Sequence, residues 1–544
     1  MGEKYVVNGV SVETVDEVCG AEWEALVLVT AEGLPTLHVL EDFVAAHHEL
    51  DPPSKQRGCV SVVRCSRVCG ARLVLSAAGE LGPYDDVRSL GEAMRAGVGR
   101  AAALGAGRVV VALQPHPRFP RAPLVMLLAA LEALYVPLQI RESFPWRAHG
   151  VSALGVYAER LEAGGLLRRG AALEAGRALA RDVGGADPER MAPLQCARHI
   201  AAALRAGPVA VRLLDDAAEL RRRYPLLSAV SRAADTVPHH RGCVVFLEYE
   251  PAEYDRTLMF VGKGVTYDTG GCDIKAGGNM AGMSRDKCGA AAIAGFFKAC
   301  EALQPRVKAV ASLGFVRNSV GAAAYVADEL LTSARGDAVR VGNTDAEGRL
   351  VMADLLAELA ADAASQRAAH VYSVATLTGH ALRAVGAGYS VVLDNHVARA
   401  AGHAHKLQQA GDAVGDMIEV STIRREDLWF HAGRAAGDSL HQADSRASVQ
   451  LPRGHQSPGA SGGSMVAVTC VYGVCRARRA SCCWRRGWRR AAWRTRTWTW
   501  RPAPAASRPR PRPRRCWRWP RWPACSTPSC THCLLLYSLC IITL

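Results

Sequence analysis

Two segments of this chain gather acids and bases in apolar, glycine-rich settings. One runs Val261-Gly-Lys-Gly-Val-Thr-Tyr-Asp-Thr-Gly-Gly271 and continues through Asp273-Ile-Lys275 to Met283-Ser-Arg-Asp286. The other is Gly342-Asn-Thr-Asp-Ala-Glu-Gly-Arg-Leu350. Carboxylates brought together without counter-charges are costly, because a buried unpaired charge is heavily penalised. Divalent metals remove that cost, and oxygen-rich sites holding two metals about 3.5–4 Å apart serve peptide and phosphate hydrolysis. For any single Asp in these segments a solvated acidic loop is the commoner arrangement. The residues by themselves leave both a metal centre and a solvated loop open.

Positioning such a set falls to the elements around it. Residues 257–262 read as a strand that delivers Lys263 and Asp268 to the carboxyl end of a sheet, where ligands bind in parallel α/β architectures. Gly270 and Gly271 let backbone pass close to a ligand. Asp345, Glu347 and Arg349 alternate, so a locally extended stretch puts all three on one side. A helix over 350–363 then holds that stretch in place. Further strands are expected at 244–248, 307–316 and 371–377, with an apolar helix at 288–303. The order βαβαβ predicts an α/β fold with a mostly parallel central sheet flanked by helices.

Residues 1–165 also alternate apolar runs with Ala-rich segments, including a buried strand at 108–113 and a helix at 124–138, and predict a small N-terminal α/β domain. No chemistry is legible there, since His47, His48 and His116 are scattered. A long helix at 167–183 ends at Gly184-Gly185, and Asp187-Pro188 and Pro193 mark a connection. The expected division is 1–165, a catalytic domain over 166–460, and a tail over 461–544.

Asn343-Thr-Asp-Ala-Glu-Gly-Arg-Leu350 matches the signature octapeptide of the leucine aminopeptidase (cytosol aminopeptidase) family. Lys263, Asp268, Lys275 and Asp286 match that family's upstream motif in type and spacing, and Ala375-Thr-Leu-Thr-Gly379 matches a third segment. The resemblance is good over 170–460 and weak over 1–165. It implies a cytoplasmic hexamer that releases N-terminal residues from peptides with a free N-terminus. It implies two divalent ions, usually zinc, with manganese or magnesium in one site. It assigns Lys263, Asp268, Asp286 and Glu347 to the tight metal and Asp268, Asp345 and Glu347 to the exchangeable one. As a ligand Lys263 is neutral, because dication repulsion and desolvation both push its proton off. By the same resemblance Lys275 polarises the scissile carbonyl and steadies the oxyanion. Arg349 matches the position that holds a bicarbonate ion acting as general base. Met283, Asn343, Thr376 and Gly379 match positions lining the pocket for the first residue.

After Arg453-Gly-His-Gln-Ser-Pro-Gly-Ala460 the family continues into an Ala-rich helix and an Asp-containing strand, whereas 461–544 contains no Asp. That strand is therefore not expected, and the catalytic domain reads as C-terminally incomplete. The tail holds 17 of the 66 basic residues, no acidic residue and eight of the 11 Trp. Its Arg, Pro, Trp and Cys bias fits a disordered segment, or a GC-rich region translated in a shifted frame. The remaining 49 basic residues face 51 acidic ones, a net of −2, so the overall charge of +15 belongs to the tail alone. No nucleic-acid partner is expected, since Cys530-Thr-His-Cys533 is a lone CxxC without a second pair. No membrane partner is expected either. The N-terminus shows no apolar signal core, and the last apolar stretch, 533–544, falls short of the roughly 20 residues of a spanning helix. Nine Cys lie irregularly in 1–460 and read as reduced thiols. The competing reading is a catalytically impaired relative that serves as an assembly or binding subunit.

Overall fold

Buried apolar strands alternating with Ala-rich helices build two large sheets in the computed structural model, which describes residues 4–159, 161–276, 280–444 and 467–472. The first sheet contains β1 (Lys4–Val7), β2 (Val10–Thr14), β3 (Ala25–Ala31), β4 (Val60–Arg64), β5 (Arg72–Gly79), β6 (Arg108–Ala112) and β7 (Ala153–Tyr157). Its order is β1-β2-β7-β6-β3-β5-β4, parallel through the middle and antiparallel at both edges. The middle strands read as continuous apolar runs because both faces are covered. The stretch Ala122–Ser143, with a mean hydropathy of 1.8 over its apolar window, is long and apolar enough to cross a membrane. Here 67% of that window is buried inside the protein, which identifies a core segment. It is also not one helix: Ala122–Ala133 ends before Pro137, and Leu138–Ser143 starts afresh. Pro137 has no amide hydrogen to continue the ladder, which corrects the single helix expected over 124–138.

The second sheet has the order β16-β15-β18-β14-β10-β11-β9-β8. Its strands are β8 (Ala210–Leu214), β9 (Cys243–Tyr249), β10 (Thr257–Asp268), β11 (Lys308–Asn318), β14 (His370–Ala375), β15 (Ser390–Asp394), β16 (Ile418–Thr422) and β18 (Ala467–Tyr472). A small third sheet joins β12 (Leu330–Thr332), β13 (Ala338–Arg340) and β17 (Leu440–His441). Strands β14, β10 and β11 are parallel, while β8 and β9 form an antiparallel edge. The fold is mixed α/β as expected, with helices Cys288–Leu303 and Glu347–Asp362 packed on β10.

Helix Ala163–Gly185 joins the two halves. Gly176 lies so close to helix Cys288–Leu303 that an added Cβ would sit 2.4 Å from the Gly295 carbonyl oxygen. On its other side Glu174, fully buried, accepts from Arg177 at 2.8 Å, Arg181 at 2.6 Å and Asn8 at 3.1 Å.

One expectation fails. Ala467–Tyr472 is a strand inside the second sheet, antiparallel to β14 and parallel to β15. Its sequence, Ala-Val-Thr-Cys-Val-Tyr, is β-branched and aromatic, without Pro, Gly or charge, and suits an interior strand. The composition of 461–544 as a whole hides these six residues, and backbone pairing needs no Asp. The disorder expected for 461–544 falls, at 461–466 and 473–544, outside the described residues.

Candidate active site

Strand β10 is the spine of the site. Lys263 sits within it, opposite Gly314 of β11, and Asp268 ends it, opposite Asn318. The register shifts between Val265 and Asp268, the kind of irregularity that re-aims a side chain. Lys263 is buried and pairs with Asp286 at 2.7 Å and Glu347 at 2.7 Å. Room for it depends on Gly348, where a Cβ would come 2.6 Å from the Lys263 Cε. Asp268 Oδ1 accepts from Gly270 N at 2.9 Å and Asn318 Nδ2 at 2.8 Å. Gly270 has φ +88°, a left-handed conformation that turns the chain under the carboxylate. Lys275 Nζ lies 2.9 Å from Asp268 Oδ2 and bonds Asp345 as well.

Asp345, Glu347 and Arg349 do not lie on an extended stretch. Asp345 is in a turn, and Glu347 opens the helix Glu347–Asp362 with Arg349 in its first turn. A carboxylate at a helix N-terminus is favoured by the dipole, so the helix begins three residues before the expected 350. The same acids still converge. Ligand atoms of Asp268, Asp286 and Glu347 all lie within 4.8 Å of one another, and all three residues are buried.

Four carboxylates share this cluster with two ammonium groups, and the electrostatics show the imbalance. Burial raises Asp286 well above the usual carboxylate range, and Glu347 and Asp268 push the same way against Lys263. Asp345 is pushed up to about 7, by burial first and then by Asp268, against the pull of Lys275. Burial works to deprotonate Lys263 and Lys275, yet the surrounding carboxylates outweigh it and hold both above the ordinary lysine value. Glu347 Oε2 is buried with no hydrogen-bond partner among the described residues. Oxygen donors short of positive charge, with one orphaned oxygen, fit divalent cations.

The expected pocket residues also gather here. Thr376 Oγ1 donates to Asp286 Oδ1 at 2.7 Å, and its carbonyl accepts from Lys263 at 3.4 Å. Asn343 Oδ1 accepts from Asp345 N at 2.8 Å. Met283 is buried in a turn just ahead of Asp286, and Gly379 starts the helix Gly379–Val385 after Thr376. Sequence reasoning missed three supports. Asn318 fixes Asp268. Thr344 ties the two motifs together, donating to the Gly270 carbonyl at 2.6 Å and accepting from Asp273 N at 2.7 Å. Gln442 closes the loop 342–346 from a hundred residues away. Only Asn318, a polar residue ending an apolar strand, left a signal that could have been read.

Glu189, His239 and His240 form a second cluster of ligand-type side chains nearer the surface. His240 Nε2 there accepts from the Arg317 guanidinium at 3.2 Å, a cation that a metal ion would have to displace.

The family model for the cytosol aminopeptidase family, catalytic domain, matches residues 178–426. A Caenorhabditis elegans protein named as an aminopeptidase is 41% identical over 408 residues, covering 73% of this chain and 77% of the relative. Proteins named as cytosol aminopeptidases of Afipia carboxidovorans and Chlamydia muridarum are each 33% identical, over 45% and 40% of this chain. The matched region spans less than half the length of those two bacterial relatives, at 47% and 42%. Among solved structures, the bottromycin maturation enzyme BotP in complex with Mn superposes with a TM-score of 0.66 at 20% identity. That match covers 82% of this chain and 91% of BotP, and it shows a shared fold.

Proposed function

The chain belongs to the cytosol aminopeptidase family, and from that premise we propose that it is a metal-dependent aminopeptidase that hydrolyses the first peptide bond of substrates with a free N-terminus. The observation that carries the reading is the cluster of buried Asp268, Asp286 and Glu347 with half-buried Asp345 around only two lysines, with Glu347 Oε2 unpartnered among the described residues. Lys263, once the charge of the ion displaces its proton, would hold one divalent ion together with Asp268, Asp286 and Glu347, and Asp268, Asp345 and Glu347 would hold the other. When bound, the two ions supply Lewis acidity and lower the pKa of water toward neutrality. Zinc suits the first site, and manganese or magnesium the exchangeable one.

The chain's own groups supply the rest. Lys275 would steady negative charge on the scissile carbonyl oxygen. Arg349, half-buried and pushed down by burial to about 10, stays charged at neutral pH and can hold a bicarbonate ion as general base. Met283, Asn343, Thr376 and Gly379 would line the pocket for the first side chain. The division at 165/166, a homo-hexamer and a cytoplasmic location belong to the same proposal.

The test is metal content measured beside turnover. The parent should bind two divalent ions per chain and cleave amino-acid anilides. Asp345→Ala and Glu347→Ala should each lower metal content and abolish cleavage. Unchanged metal content in both variants would remove the basis of the assignment.

A further inference from the structure

We propose that His431 and Gln442 are positioning residues for Arg349, clamping its guanidinium in one orientation beside Glu347. The inference rests on the reading of Arg349 as the holder of the general base. Arg349 Nη1 donates to the Gln442 carbonyl at 2.7 Å and faces His431 Nε2 at 3.4 Å. The tautomer of His431 follows from its other contact. Its Nδ1 lies 2.9 Å from the His441 carbonyl oxygen, which can only accept, so Nδ1 carries the proton. Nε2 of that neutral ring is then an acceptor facing a donor. A doubly protonated ring would set two cations against each other. Burial, and then the Arg349 charge, push His431 down to about 4.

Gln442 works with both ends. Its side-chain Nε2 donates to the Asn343 and Ala346 carbonyls at 2.7 and 2.8 Å, while Oε1 accepts from Gly342 N and Asn343 N at 3.1 Å each. One residue therefore closes the loop that bears Asp345 and, through its own carbonyl, seats Arg349. The backbone holds Gln442 in register. Its amide donates to the Arg340 carbonyl at 2.8 Å, and His441 N donates to the His431 carbonyl at 3.1 Å. The small sheet β12-β13-β17 thus brings a late segment of the chain under the metal-ligand loop.

A double-mutant cycle tests this on the metal-loaded enzyme. His431→Phe keeps the ring shape without the acceptor. It should lower kcat by tenfold or more, toward the roughly 10²-fold loss that follows misplacement of a reacting group. KM and the two bound metals should be unchanged, and the bicarbonate concentration giving half-maximal rate should rise. His431→Gln, whose amide oxygen can accept, should recover most of the parent kcat. In the Arg349→Ala background His431→Phe should add no further loss, because its effect passes through Arg349. Losses that multiply, or loss of metal in His431→Phe, would overturn the positioning role while leaving the aminopeptidase reading intact. Should His431→Phe fail to fold, the same cycle with His431→Leu, which also lacks the acceptor, decides by the same criteria. A metal-loaded parent without turnover would instead sink the reading of the site, and this inference with it.

Discussion

Lys275 stands between Asp268 and Asp345, and its assigned work is electrostatic rather than coordinative. Lys275→Ala should keep both metals and lose about 10²–10³ in kcat, the usual loss for one oxyanion donor. Metal analysis beside steady-state kinetics checks it, and a rate within a few-fold of the parent would sink the role. Asn318 is a sharper case, because it is fully buried and aims Asp268 through a 2.8 Å hydrogen bond. Asn318→Leu should weaken metal binding by roughly 10–100-fold, as loss of a group that orients a ligand does. Competition with a chelator measures it. The contrast between these residues explains what the sequence could disclose. Lys263, Asp268, Lys275, Asp286, Asp345 and Glu347 fall into two short motifs whose spacing can be read directly. Gln442 acts on a loop a hundred residues earlier, and no local pattern marks a partner so remote.

At the scale of elements, helix Cys288–Leu303 matches its expected limits because a continuous apolar run declares both ends. Strand β10 runs on to Asp268 instead of stopping at 262, since its polar residues point into the site rather than into solvent. The helix start at Glu347 reads as extended because alternating charges mimic a strand when their partners are unknown. Strand β14 carries a pH-sensitive device of its own. His370 is buried, and burial first, then His403, Arg256 and Lys406, hold it down at about 4. Its folded pKa thus lies below the unfolded value of 6.5. As pH falls through that interval the unfolded chain takes up a proton that the folded chain refuses. The associated stability is present above about 6.5 and is lost on the way to about 4. His370→Phe should shrink the difference in stability between pH 7.5 and 4.5, measured by urea unfolding. An undiminished difference would show that the acid sensitivity arises elsewhere.

Across the whole molecule, one joint ties the two halves together and another closes the second sheet. Glu174 lies fully buried between Arg177 and Arg181 and reaches Asn8 of the first sheet's opening turn. Glu174→Leu takes a carboxylate away from two buried guanidiniums and should cost about 3–5 kcal/mol, read as a shift of the unfolding midpoint. The second joint is β18, which pairs with both β14 and β15. Thr469→Pro removes a ladder donor inside a central strand. It should raise hydrogen exchange in β15 and β16 while leaving the first sheet protected. Equal protection in parent and variant would rule the strand out. The position of β18 also sets an order of events. The first sheet is complete by Tyr157, so that half can fold while translation continues, as N-terminal units generally do. The second sheet has a gap between β14 and β15 until residues 467–472 leave the ribosome. Two unpaired strand edges stay exposed for that interval, and a nascent chain in that state is a natural client for chaperones.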